Sequence, residues 1–269
     1  MQKVRLSKLV GILIGLSLIL SCSVTATTDS GTLVLPKTID TGVVKEKILK
    51  FTESSDAVIT YKGIKEFSTG KMYEVSTDAG DVYYVNANTG DIEVALIHNA
   101  LSTKTMNGKN IDDMIKPVQK FVEKNYPNFM NKKMVLVDSK VIEHGDAAKE
   151  YVFYWNEMSG EAYTLSSIKV SVYPGWNNTV SYVAFDRPLL VDTIPKVSQA
   201  DAEATAMGTL KMGLSATTTS HLVVSPSGDS QKLVWLVNTV QLDEEGYSYG
   251  GIVTIDAISG KVISINPVL

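Results

Sequence analysis

The chain has 269 residues, 25 of them basic and 29 acidic, with a formal charge of −4. Removing residues 1–21 would take three cations and no acid, leaving 22 basic against 29 acidic residues, which excludes the basic footprint of a nucleic-acid binder and a polybasic grip on anionic lipid. With Cys22 as the sole cysteine, the fold has no disulfides and must rest on buried apolar area.

Residues 1–21 have the parts of an export signal. Lys3, Arg5 and Lys8 precede an apolar run from Leu9 to Leu20, too short to span a bilayer comfortably. The run ends in Ile19-Leu20-Ser21-Cys22, which resembles the bacterial-type lipobox. That resemblance implies that Cys22 is acylated and becomes the first residue of the mature chain. Two alternatives stay open. Uncharged sequence continues to Thr28, long enough for an uncleaved membrane anchor, and Ala26 or Thr28 would permit ordinary cleavage with Cys22 incidental. All three imply export, and the lipobox resemblance implies a place at the cell membrane or cell surface. Residues 22–36, containing SVTATTDSGT, read as a flexible stalk.

A first unit is expected over residues 37–100, with a helix from Val43 to Phe51, strands near 57–67 and 71–76, then a hairpin over 82–95. A second covers 108–190. Its helix, Ile111 to Tyr126, sets Ile111, Met114, Ile115, Val118, Phe121 and Val122 on one face. Pro117 should lie in the first turn, which makes Asp112 or Asp113 the N-cap. Strands over 133–142 and 150–158 lead to a hairpin over 166–185, turned at Gly175 and Asn177-Asn178. The polar segment NALSTKTMNGKN, with a boundary near 100–110, and the Pro188–Pro195 stretch, with one near 188–197, read as linkers. A third unit, 196–269, opens with Ser198 as N-cap and Asp201 three residues on, then a strand over 232–242 and a hairpin over 252–265. The expected fold is α+β: tandem repeats of one helix packed on a three- to four-stranded antiparallel sheet.

Self-comparison supports the repeat. VYYVNANTGDIEVA (82–95) aligns with IVTIDAISGKVISI (252–265), superposing Asn86 on Asp256 and Gly90 on Gly260. Two alternating runs flank a turn in which Asn or Asp caps the backbone and glycine takes positive φ. This pattern resembles the PepSY domain, best over 233–265 and nearly as well over 71–95. In the middle unit Tyr173-Pro174-Gly175-Trp176 replaces the turn core, so that copy is degenerate. The resemblance implies an inhibitory or regulatory binding module of the kind that accompanies secreted metallopeptidases.

Chemistry-bearing patterns are sparse. His98, His144 and His221 read as isolated, solvated loop residues, and no H-E-x-x-H, G-x-S-x-G beyond the signal, or P-loop occurs. Asp78, Asp81 and Asp91 around the first hairpin, and Asp243-Glu244-Glu245-Gly246 at a strand turn, read as solvated acids rather than cation sites. No catalytic residue, metal or cofactor is expected. Most strand aromatics should be packed; Trp176, Tyr247 and Tyr249 lie in turns or beside glycines and are the candidate protein-binding residues. The expected function is a lipid-anchored, non-catalytic envelope protein whose repeats bind a protein or peptide, such as a secreted peptidase. The alternative is a structural or adhesive surface protein with the repeats as spacers.

Overall fold

Alternating β-branched and aromatic residues from Ile59 onward favour extended chain, and three short amphipathic segments favour helix. The structure is a computed structural model that describes residues 40–52, 57–67, 69–101, 110–144, 149–174, 178–228, 230–243 and 245–268. The expected signal, the stalk and Cys22 lie outside the described residues, as do Gly175, Trp176 and Asn177. Helix α1 (Thr41–Thr52) precedes β1 (Ile59–Phe67), β2 (Gly70–Thr77), β3 (Val82–Asn86) and β4 (Ile92–Ile97). Helix α2 (Ile111–Asn125) and a 3-10 turn (Phe129–Asn131) precede β5 (Met134–Glu143), β6 (Lys149–Ser159), β7 (Ala162–Tyr173) and β8 (Thr179–Phe185). Helix α3 (Gln199–Leu210) precedes β9 (Thr217–Ser227), β10 (Ser230–Leu242), β11 (Ser248–Asp256) and β12 (Val262–Val268).

The expectation of separate small sheets is wrong. The strands form one 12-stranded mixed sheet, ordered β1-β2-β3-β4-β8-β7-β9-β10-β11-β12, with β6 on β7 and β5 on β6. Two joints create it. Strand β4 pairs antiparallel with β8, Ala95 opposite Tyr182, which merges the first eight strands. The start of β7 then meets β9 through the parallel pair Tyr163↔Val223. The physical reason is that β4 and β8 are the last strands of their meanders; joining them satisfies both rows of backbone groups and continues the buried face beneath the helices.

Helices α1 and α2 lie on the same face of the merged sheet. Val44, Ile48 and Phe51 share one core with Met114, Val118 and Val122. Phe51 is the keystone, edge-on to Tyr83, Phe121 and Tyr182 at 5.4–5.9 Å between centroids. Each such pair adds about 0.5–1.5 kcal/mol beyond area burial. A second core lies under α3, where Ala202 and Ala206 let the helix sit close to Leu233, Trp235, Val253 and Ile255.

Several local expectations need correction. Asn110, not Asp112 or Asp113, caps α2: its side chain accepts the Asp113 N–H at 2.9 Å. Pro117 therefore lies in the second turn, tolerated because the carbonyl it leaves without an N–H belongs to exposed Asp113. Strand β9 was not expected from its polar start, TTTSH. The Pro188–Pro195 stretch is strapped down: the Gln231 side chain accepts the Leu190 N–H and donates to the Pro188 carbonyl, both at 2.8 Å.

Candidate functional site

The two aligned hairpins have the same hydrogen bonds. The Asn86 side-chain oxygen accepts the N–H groups of Asn88 and Thr89, as Asp256 accepts those of Ile258 and Ser259. Gly90 and Gly260, at φ +72° and +74°, donate to the carbonyls of Asn86 and Asp256 at 2.8 Å. A bulge follows at the same place in each, Tyr84/Val85 and Thr254/Ile255. These bonds, with the Ser259 N–H first, hold the Asp256 carboxyl below its ordinary value against a smaller effect of burial.

The residue at the second half of the turn differs. Where hairpin three has Ile263, hairpin one has Glu93, only 2% exposed. Its carboxylate accepts from Arg187 Nη1 at 2.8 Å and Nη2 at 3.1 Å, and from Asn86 Nδ2 at 2.8 Å. This explains Asn at position 86: its oxygen caps the turn while its amide donates to Glu93, which Asp could not do. Arg187 also lies over the Phe185 ring, 5.1 Å from its centroid.

Beside this pair opens a cleft of about 250 Å³, bounded by the C-terminal turns of α1 and α2, the β3–β4 turn and the end of β8. Phe51, Ile92, Tyr182 and Ala184 give it an apolar floor; Lys47, Lys50, Lys124 and Arg187 face Asp91, Glu93 and Asp186 around it. Most of these charges are already paired. Lys47 contacts Asp91 at 3.0 Å, and Asp186 accepts from Lys132 at 2.6 Å and from Asn128. Burial alone would raise the Asp186 carboxyl, but the hydrogen bonds from Lys132 and Asn128 hold it below its ordinary value. Lys132 also reaches Glu157 at 3.1 Å and Ser166 at 2.9 Å. Lys50 is exposed at the mouth. At about 250 Å³ the cleft is smaller than the ~300–1,000 Å³ usual for a small-molecule or cofactor site.

Sequence reasoning missed this cleft. The available signal was Glu93 itself, a charge at core-facing parity with Ala95 and Ile97 in the run IEVALI. Its partner, Arg187, is 94 residues away and carries no local mark. His98 and His144 lie in a turn and a loop, each against one carboxylate, and only His221 departs from a loop setting. His98 contacts Asp81 at 3.1 Å, His144 contacts Glu150 at 3.0 Å, and His221 lies within β9 against Tyr163, where burial lowers its pKa. The acids around the first hairpin diverge: Asp78 accepts the Val58 N–H, Asp81 the His98 N–H and Tyr83 hydroxyl, and Asp91 pairs with Lys47. Among the described residues, no group of three or more His, Cys, Asp or Glu could hold a metal ion. Tyr247 and Tyr249, 73% and 37% exposed, lie at the β10–β11 end of the sheet, remote in the fold from the cleft.

No family model matches the chain, and no curated protein matches it. No helix among the described residues is long and apolar enough to cross a membrane.

Proposed function

We propose that the chain is a lipid-anchored, non-catalytic protein of the cell envelope that binds a segment of another protein, with the cleft between α1 and α2 as the binding site. The observation that carries this reading is the cleft's composition: an apolar floor on Phe51 and Tyr182, acids already held by cations, and exposed Lys50 at the rim. Such a site favours an acidic side chain beside an apolar one and takes little more. The lipobox resemblance at Cys22 supports the anchor. The PepSY resemblance of the hairpins supports a regulatory role and makes a secreted peptidase the partner class to seek first.

A photo-crosslinking amino acid at position 50, in the full-length protein in its own membrane, tests the site. A discrete protein adduct is expected there, identified by mass spectrometry, and none from the same probe at exposed Lys232 in the third unit. Absence of an adduct at position 50, or the same adducts at both positions, would overturn the assignment.

A further inference from the structure

The outer edge of β12 is the counterpart of an edge that is already paired elsewhere in the chain. Superposing Asn86 on Asp256 sets β12 on β4 at a constant offset: Val85↔Ile92 corresponds to Ile255↔Val262, and Tyr84↔Val94 to Thr254↔Ser264. On this alignment Ala95 and Ile97 match Ile265 and Pro267. In the first unit these positions are buried, Ala95 at 0% and Ile97 at 5%, because β8 pairs on the far side of β4 and α2 covers the face. In the third unit β12 pairs with β11 alone among the described strands. Its apolar side chains stand open, with Val262 38%, Ile263 48% and Ile265 47% exposed.

The backbone points the same way. The Asp256 N–H donates to the Lys261 carbonyl at 2.9 Å, as Asn86 does to Asp91 at 2.8 Å. With that parity Ser264 and Asn266 face β11, and Ile265 turns its N–H and carbonyl outward, as Ala95 does toward Tyr182. An open edge with an apolar row is a template for another strand.

We propose that β12 pairs antiparallel with β12 of a second copy of this chain, about a two-fold axis near Ile265, as β4 pairs with β8 within one chain. Ile265 then faces its counterpart, and Ser264 faces Asn266. The occupant follows from the internal joint: β4 and β8 are final strands of two helix-and-meander units, and β12 is the final strand of a third. The pairing also continues the existing sheet across the axis. Pro267 shortens the ladder, since it has no N–H to offer. A seven-residue edge falls short of the ~1,200 Å² that stable interfaces bury, so the pair is weak and needs covalent trapping.

The test oxidises purified full-length protein with Ile265→Cys in detergent micelles and reads the product on a non-reducing gel. A disulfide-linked species of twice the chain mass is expected, absent from the wild type, which carries only Cys22, and from Tyr61→Cys on the open edge strand β1. Mixing differently tagged Ser264→Cys and Asn266→Cys chains should give the mixed dimer in excess of either like pair, which fixes the register. No dimer at position 265, equal dimer at position 61, or no preference in the mixture would overturn the proposal. The exposure of Ile265 makes misfolding of its variant an unimportant source of failure.

Discussion

Replacing Arg187 by Met should cost about 3 kcal/mol. The guanidinium donates two charge-assisted hydrogen bonds to Glu93, whose side chain is 3% exposed, whereas Arg187 itself is 26% exposed. Breaking a buried pair by removing one partner typically costs ~3–5 kcal/mol, because the remaining charge has neither water nor partner. The lower end applies here, since Asn86 still donates to Glu93 and Arg187 is partly solvated. For a folded unit of this length each kcal/mol lowers Tm by ~2–4 °C, so a drop of about 6–12 °C is expected by calorimetry at pH 7. The double variant Glu93→Met with Arg187→Met, which buries two apolar chains instead, should recover to within about 1 kcal/mol of wild type. A single variant within about 0.5 kcal/mol of wild type would refute the reasoning.

Asn86→Asp keeps the turn but sets a second carboxylate against Glu93, and should cost about 2 kcal/mol or more in urea denaturation, whereas Asp256→Asn, with no acid nearby on β12, should cost under about 1 kcal/mol. Equal effects at the two positions would remove the stated reason for Asn86. The Thr239 hydroxyl is fully buried without a hydrogen-bond partner among the described residues, so Thr239→Val should stabilise by about 1 kcal/mol, seen as a higher urea midpoint. Cys22→Ser should move the protein from the membrane to the soluble fraction, or leave it unprocessed, without changing Tm of the folded part; unchanged membrane retention at the wild-type processed mass would contradict acylation at Cys22.

What could be read from the sequence was local. The turn residues Asn86, Gly90, Asp256 and Gly260 act within four residues of one another, so their spacing carries their geometry. The face of α2 was legible for the same reason, since a 3.6-residue period needs no distant partner. Its cap was misread because Pro117 was required to lie in the first turn, whereas it is accommodated in the second, where the residue whose carbonyl loses its N–H partner, Asp113, is exposed. The Arg187–Glu93 pair and the Lys132–Asp186 contact join residues 94 and 54 positions apart, and nothing in either segment names the other. Strand β9 escaped because five polar residues mask its period, although His221 within it is packed on Tyr163.

The error about separate sheets has a more general cause. Alternation in a strand reports which face is buried, whereas the fate of a sheet edge depends on backbone groups that every residue shares. β4 and β12 have nearly the same pattern and the same turn, yet one is an interior strand and the other an edge. The strands differ at Val94/Ser264, Leu96/Asn266 and Ile97/Pro267, but the differences that bear on the joint are Glu93 and Ala95 in one against Ile263 and Ile265 in the other. Ala95 is small enough to leave room for Tyr182 and for the approach of α2, and Glu93 anchors Arg187 from the far end of β8. The ion pair therefore clamps the β4–β8 joint and, by holding Arg187 on the cleft wall, forms part of the proposed binding site. Loss of the clamp should loosen both together: in Arg187→Met, amide hydrogen exchange should quicken along β4 and β8 more than along β10 and β11. Uniform acceleration over both cores would mean that the pair stabilises the whole sheet and has no special hold on the joint.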